Sequence, residues 1–246
     1  MQDERTVVVH RASELVGLPT RRSFLKALAA GGTLVLMPSV FAACDDDNTI
    51  TNARTTDAQT ISLANDVGIL TFAFVVEQLD STFYEQLVGL PQFDTLFSAA
   101  EREMLVDFRN EEVTHREFIR AALNNGFPTL TFDFSSVNAS LTRENVLTTA
   151  LALETNGTAA YNGAGVKLTN ANNLLTAGKL VSIEARHAAA IADTLDPSGG
   201  TAYADLTLAL NVSLGAVDAN ALDVAAPAAT VAANADPFIV NPITLT

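Results

Sequence analysis

Two short patterns in this 246-residue chain have the residue types and spacing to hold a metal ion: Glu112-Val113-Thr114-His115 and Glu184-Ala185-Arg186-His187, both Glu-x-x-His. Three residues is close to one helical turn, so on a helix the carboxylate and the imidazole of each pair leave from one side. Around the first pair, Phe108, Glu112, His115 and Ile119 step by four, three and four; Leu180, Glu184, His187 and Ile191 step identically around the second. Each polar pair therefore rides on the apolar stripe that must face a core. Two more carboxylates sit in similar company, Glu77 among Leu70, Phe74 and Tyr84, and Glu154 among Leu147, Ala150 and Tyr161. Glu77 precedes Tyr84 by seven residues and Glu154 precedes Tyr161 by seven. The same polar pattern occurs twice, and an approximate internal two-fold would bring all six groups together.

A core that holds four carboxylates needs compensation, because an ionised carboxylate buried alone costs several kcal/mol and like charges add to that. Two divalent cations would balance four glutamates if both histidines are neutral. Oxygen ligands with imidazole nitrogen suit iron or manganese, and the absence of thiolates argues against a structural zinc site. Two of the three histidines fall in the paired motifs, and His10 belongs to the amino-terminal leader. Glu111 lies on a more polar face than Glu112 and is expected in solvent. Tyr84 and Tyr161 read as packing residues with a hydroxyl partner beside the ligands, and Arg186 as an outer ion-pair partner.

Four long stretches of helically spaced apolar residues carry these groups: about 58–88, 98–124, 142–168 and 172–195. Leu90-Pro91, Asn124-Asn125-Gly126 and Asp196-Pro197-Ser198-Gly199-Gly200 supply stops, and Thr142 can cap the third helix. Short links join helices one to two and three to four as antiparallel hairpins. The longer link 126–141, with the alternating run Leu130-Thr131-Phe132-Asp133-Phe134, is long enough to cross the bundle. The fold class expected is all-α, a four-helix bundle with one long crossover over residues 58–196. Residues 197–246, with Leu206, Leu208, Leu210 and Val212 in alternation, should form an irregular tail packed on it, with one short helix near 228–234.

The amino end speaks to location. Arg21-Arg22-Ser23-Phe24-Leu25-Lys26 followed by the uncharged run 27–43 looks like a twin-arginine export signal, too short for a membrane span of about 20 residues. Phe41-Ala42-Ala43-Cys44 resembles a lipoprotein cleavage site, with Phe41 in place of the usual Leu; Cys44 is the sole cysteine, so no internal disulfide can form. Residues 44–57 would then be a tether, and the protein would reside in the periplasm or cell envelope, reaching a membrane only through a lipid on Cys44. Residues 1–43 hold five of the 14 basic and three of the 28 acidic residues, which leaves 9 against 25 and a formal charge of −16. That excludes a nucleic-acid binder, which needs clustered Lys and Arg, and favours cations as partners.

On Glu77, Glu112-Val113-Thr114-His115, Glu154 and Glu184-Ala185-Arg186-His187, the region 57–196 resembles the ferritin-like domain family of exported bacterial proteins and is similar to desiccation-related members. The resemblance implies a site for two iron (or manganese) ions and chemistry with oxygen or peroxide, such as iron oxidation or stress protection. It implies Glu112 and Glu184 as bridging carboxylates, Glu77 and Glu154 as terminal ligands, and His115 and His187 as nitrogen ligands. Storage ferritins match less well, because their centres usually lack the second histidine. The competing expectation is an envelope-anchored protective or binding protein that uses the bundle as a scaffold without turnover. The sequence leaves oligomeric state open.

Overall fold

The computed structural model of the protein describes residues 58–196 and 223–246. The expected export signal, Cys44 with its tether, and the alternating run 206–212 lie outside them. Four long helices dominate: α1 (Asp66–Val88), α3 (Ala99–Ala122), α5 (Arg143–Gly165) and α6 (Ala171–Leu195), with a one-turn α2 (Phe93–Leu96) in the first hairpin. Their starts are set by side chains that accept first-turn amides: Asn65 from Gly68, Thr142 from Asn145, and Asn170 from Asn172. Ser98 and Glu101 form a reciprocal capping box at α3. At the far end of α3, Asn124 and Asn125 take left-handed backbone angles (φ 49° and 57°) that asparagine tolerates better than most residues, and the helix stops.

Helix α1 packs on α3 and α5 on α6, and α1 also packs against α5. Between the hairpins, the crossover runs through α4 (Ser135–Ala139). The extended character expected at 130–134 is realised in part: Phe132 bridges antiparallel to Ile239, with Asp133 N–H donating to Phe238 O and Val240 N–H to Thr131 O. The molecule is an all-α bundle with one long crossover.

The first helix begins eight residues later than its apolar spacing predicts. Residues Gln59–Ile61 form β1, paired in parallel with β2 (Ile243–Leu245) at the end of the chain. Helix α7 (Ala228–Ala235) and a 3-10 turn (Asp236–Phe238) lead into β2. Because α7 lies on α5 and this segment lines a cavity with α1, those two helices are buried on nearly every side, whereas α3 buries a single stripe. Among the described residues, no helix is long and apolar enough to cross a membrane.

Candidate metal centre

The single buried stripe of α3 is Leu105, Phe108, Glu112, His115 and Ile119. Helix α6 buries Leu180, Glu184, His187 and Ile191 on the corresponding face. With Glu77 from α1 and Glu154 from α5, all six expected residues are buried, the four glutamates at 0–1% exposure. They converge in two groups: Glu77, Glu112, His115 and Glu184, and Glu112, Glu154 and His187. Glu112 belongs to both. Glu184 joins only the first, so the two halves of the internal repeat are not equivalent here.

Each histidine presents Nδ1 to the acids. His115 Nδ1 lies 3.4 Å from Glu184 Oε1, 3.5 Å from Glu77 Oε2 and 3.7 Å from Glu112 Oε1. His187 Nδ1 lies 3.1 Å from Glu112 Oε1 and 3.3 Å from Glu154 Oε2. Phe108 stacks on the His187 ring with centroids 4.0 Å apart. The tyrosines cross between the halves. Tyr84 on α1 donates to Glu154 Oε1 at 2.5 Å, and Tyr161 on α5 donates to Glu77 Oε1. The hydroxyl partner expected for each tyrosine is thus the carboxylate of the opposite repeat.

Electrostatics follow from burial. Burial pushes the Glu77 carboxyl up to about 7 despite the opposing His115 ring, and it raises Glu154 and Glu184 as well. Burial also works against charged imidazole, yet the Glu112 and Glu154 carboxylates lift His187 to about 10, and Glu112, Glu184 and Glu77 lift His115 further. Glu112 is the reverse case: burial raises it, but two imidazolium neighbours hold it at about 2. The remaining oxygens are not otherwise satisfied. Glu77 Oε2, Glu154 Oε2, both oxygens of Glu112 and of Glu184, and Nδ1 of both histidines are buried without a hydrogen-bond partner. Native cores pair such atoms nearly always, so this concentration of orphaned oxygens and imidazole nitrogens fits metal binding.

Two residues here were not expected. Glu111, placed in solvent by its polar face, keeps a half-exposed side chain but sets Oε2 2.7 Å from His187 Nε2. A carboxylate on the outer nitrogen fixes which nitrogen faces a metal and orients the ring. Arg186, expected as an outer ion-pair partner, donates to Ser182 Oγ on its own helix. Asp80, one turn beyond Glu77, is 1% exposed with both oxygens unpartnered. Burial and then the Glu154 and Glu112 charges hold its carboxyl well above the usual range. Its spacing from Glu77 matches that within Glu-x-x-His and was the available signal.

A family model describing a ferritin-like domain matches residues 65–197, more than half of the chain. The chain belongs to the ferritin-like domain family. The match begins at the Asn65 cap of α1 and ends just past α6, so it spans every residue of the two ligand groups in this ferritin-like domain. No curated protein matches the chain.

Proposed function

We propose that this ferritin-like domain holds two divalent metal ions, iron or manganese, and uses them for redox chemistry with oxygen or peroxide. The observation that carries the reading is the set of orphaned ligand atoms at the centre of the bundle, converging from four helices. Glu77, Glu112, His115 and Glu184 would hold one ion, and Glu112, Glu154 and His187 the other, with Glu112 shared. A bound iron or manganese pair would supply the electrons for reducing oxygen or peroxide.

The chain's own groups do the rest. Tyr84 and Tyr161 fix Glu154 and Glu77 by donating to one oxygen each, which leaves the other free to bind. Glu111 holds His187 by its outer nitrogen, and both imidazoles give up a proton as the site fills. The apolar shell around the centre keeps water away from the pair. Around this centre, the twin-arginine pattern and Cys44 support export to the cell envelope with a lipid anchor, and the charge of −16 on residues 44–246 supports drawing cations toward the surface.

The test is metal content of the purified protein beside a His115→Ala/His187→Ala double variant. About two iron or manganese ions per chain are expected, as in two-metal carboxylate bundles, with loss in the variant. No uptake by the wild type, even after anaerobic addition of ferrous ion, would leave the bundle as a scaffold and end the redox reading.

A further inference from the structure

The crossed hydrogen bonds from Tyr84 to Glu154 and from Tyr161 to Glu77 align α1 with α5, residue for residue, at the seven-residue spacing. One turn after each glutamate that correspondence fails, because α1 carries Asp80 where α5 carries Gly157. The two positions face each other. Asp80 Oδ2 lies 3.5 Å from the place where a Cβ on Gly157 would stand, and Glu184 Oε2 lies 2.6 Å from the same place. A side chain on α5 at this point would displace Glu184 and touch Asp80. The glycine leaves room that two carboxylates share.

We propose that Asp80 is a fifth carboxylate ligand of the metal centre, entering between α1 and α5 to complete the shell of the cation held by Glu112, Glu154 and His187. This rests on the metal-centre reading above and adds a ligand that its paired motifs do not contain. Three observations carry it. The ligand group of that cation has three residues where the other has four, and Asp80, whose oxygens stand outside both groups, would swing in to join it. Asp80 is buried with neither oxygen satisfied, the same condition as the ligand atoms beside it. The acids that bear most strongly on it are Glu154 and then Glu112, both members of the three-residue group. A buried acid without a partner is costly in a core, whereas a cation beside it turns that cost into attraction.

The experiment is manganese(II) binding to the whole protein by calorimetry and electron paramagnetic resonance, wild type against Asp80→Asn. The amide keeps the shape of the acid and is a poorer ligand. One of the two ions should bind at least about tenfold more weakly, by analogy with the loss of supporting carboxylates, while the other is unchanged. The spectrum of a coupled manganese pair should give way to that of an isolated ion. Thermal stability of the metal-free variant should be equal or higher, which a purely structural role for Asp80 would not produce. Asp80→Ala should show the same loss of one ion, independent of any new amide contact. Binding of both ions by Asp80→Asn with wild-type affinity and spectrum would overturn the assignment of Asp80 alone. Failure of the wild type to take up either manganese or, anaerobically, ferrous ion would overturn the metal centre and this ligand with it.

Discussion

At the scale of single residues, the centre makes stability depend on pH in a direction that can be worked out. His187 titrates at about 10 in the folded protein, against 6.5 for a free imidazole. Its contribution to stability is therefore complete below 6.5 and lost as pH rises through 10. Glu77, pushed up to about 7 from 4.5, acts in the same direction, because its folded form resists ionising between those values. Glu112 is opposed: held at about 2, its contribution is present above 4.5 and lost as pH falls towards 2. The metal-free protein should therefore lose melting temperature steadily from about pH 5 to pH 9. Metal binding needs neutral imidazole and releases protons, so the loaded protein should gain on the free one over that range. Calorimetric melts of chelated and manganese-loaded protein at stepped pH check this, and a chelated protein whose Tm is flat or rising would contradict it. The burial and convergence of the six candidate residues were legible in the sequence because charged residues at 3.6-residue spacing on an apolar stripe stand out. Asp80 carried only its three-residue spacing from Glu77, since α1 is buried on nearly all sides and offers no polar face against which a buried acid is conspicuous. Glu111 is exposed as its polar face implies, but its contact with His187 left no trace, because an oxygen reaching inward from the rim looks, by periodicity, like any solvated acid.

At the scale of elements, a glutamine helps to fix the crossover beside its buried apolar residues Phe127, Leu130, Phe132 and Phe134. Gln78 stands beside Glu77 on α1 and is 1% exposed. Its Oε1 accepts from Leu130 N–H at 2.9 Å and its Nε2 donates to Pro128 O at 3.3 Å, which ties the start of the extended run to the bundle. Gln78→Ala leaves the buried Leu130 amide unpaired, and should cost about 1–3 kcal/mol in urea denaturation. Metal content should stay unchanged, because Glu77 keeps its tyrosine and its place in the ligand group. A cost near zero would show that water replaces the amide there. Helix limits were read to within a few residues where caps mark them, at Ser98, Thr142 and Asn170. The start of α1 was misplaced, because Gln59–Ile61 are held by a strand at the other end of the chain. Apolar spacing is a local signal, and a parallel pairing between opposite ends leaves no local trace.

At the scale of the whole molecule, residues 223–246 close the bundle. Ala226 N–H donates to Ala159 O on α5, Asn162 donates to Val224 O, Asn156 donates to Val231 O, and Asn234 donates back to Asn156. Thr131 N–H donates to the buried Asn241, which adds the crossover to the same knot. Between this segment and α1 lies an apolar cavity of about 300 Å³ lined by Phe72, Val75, Val76, Val231 and Ile243, among others. The segment can approach α5 so closely because Gly163 has no side chain; a Cβ there would stand 1.8 Å from Ala226 O. That obstacle is backbone, so Gly163→Ala must push the segment outward, at about the 1–3 kcal/mol typical of overpacking. Three readouts should move together: a lower melting temperature, faster proteolysis within 223–246, and more binding of an apolar dye as Phe72, Val75 and Val76 open to water. Metal uptake should persist, since no member of either ligand group lies on the segment. Loss of metal along with the segment would instead show that closure of the outer face of α5 is what holds Glu154 and Tyr161 in position.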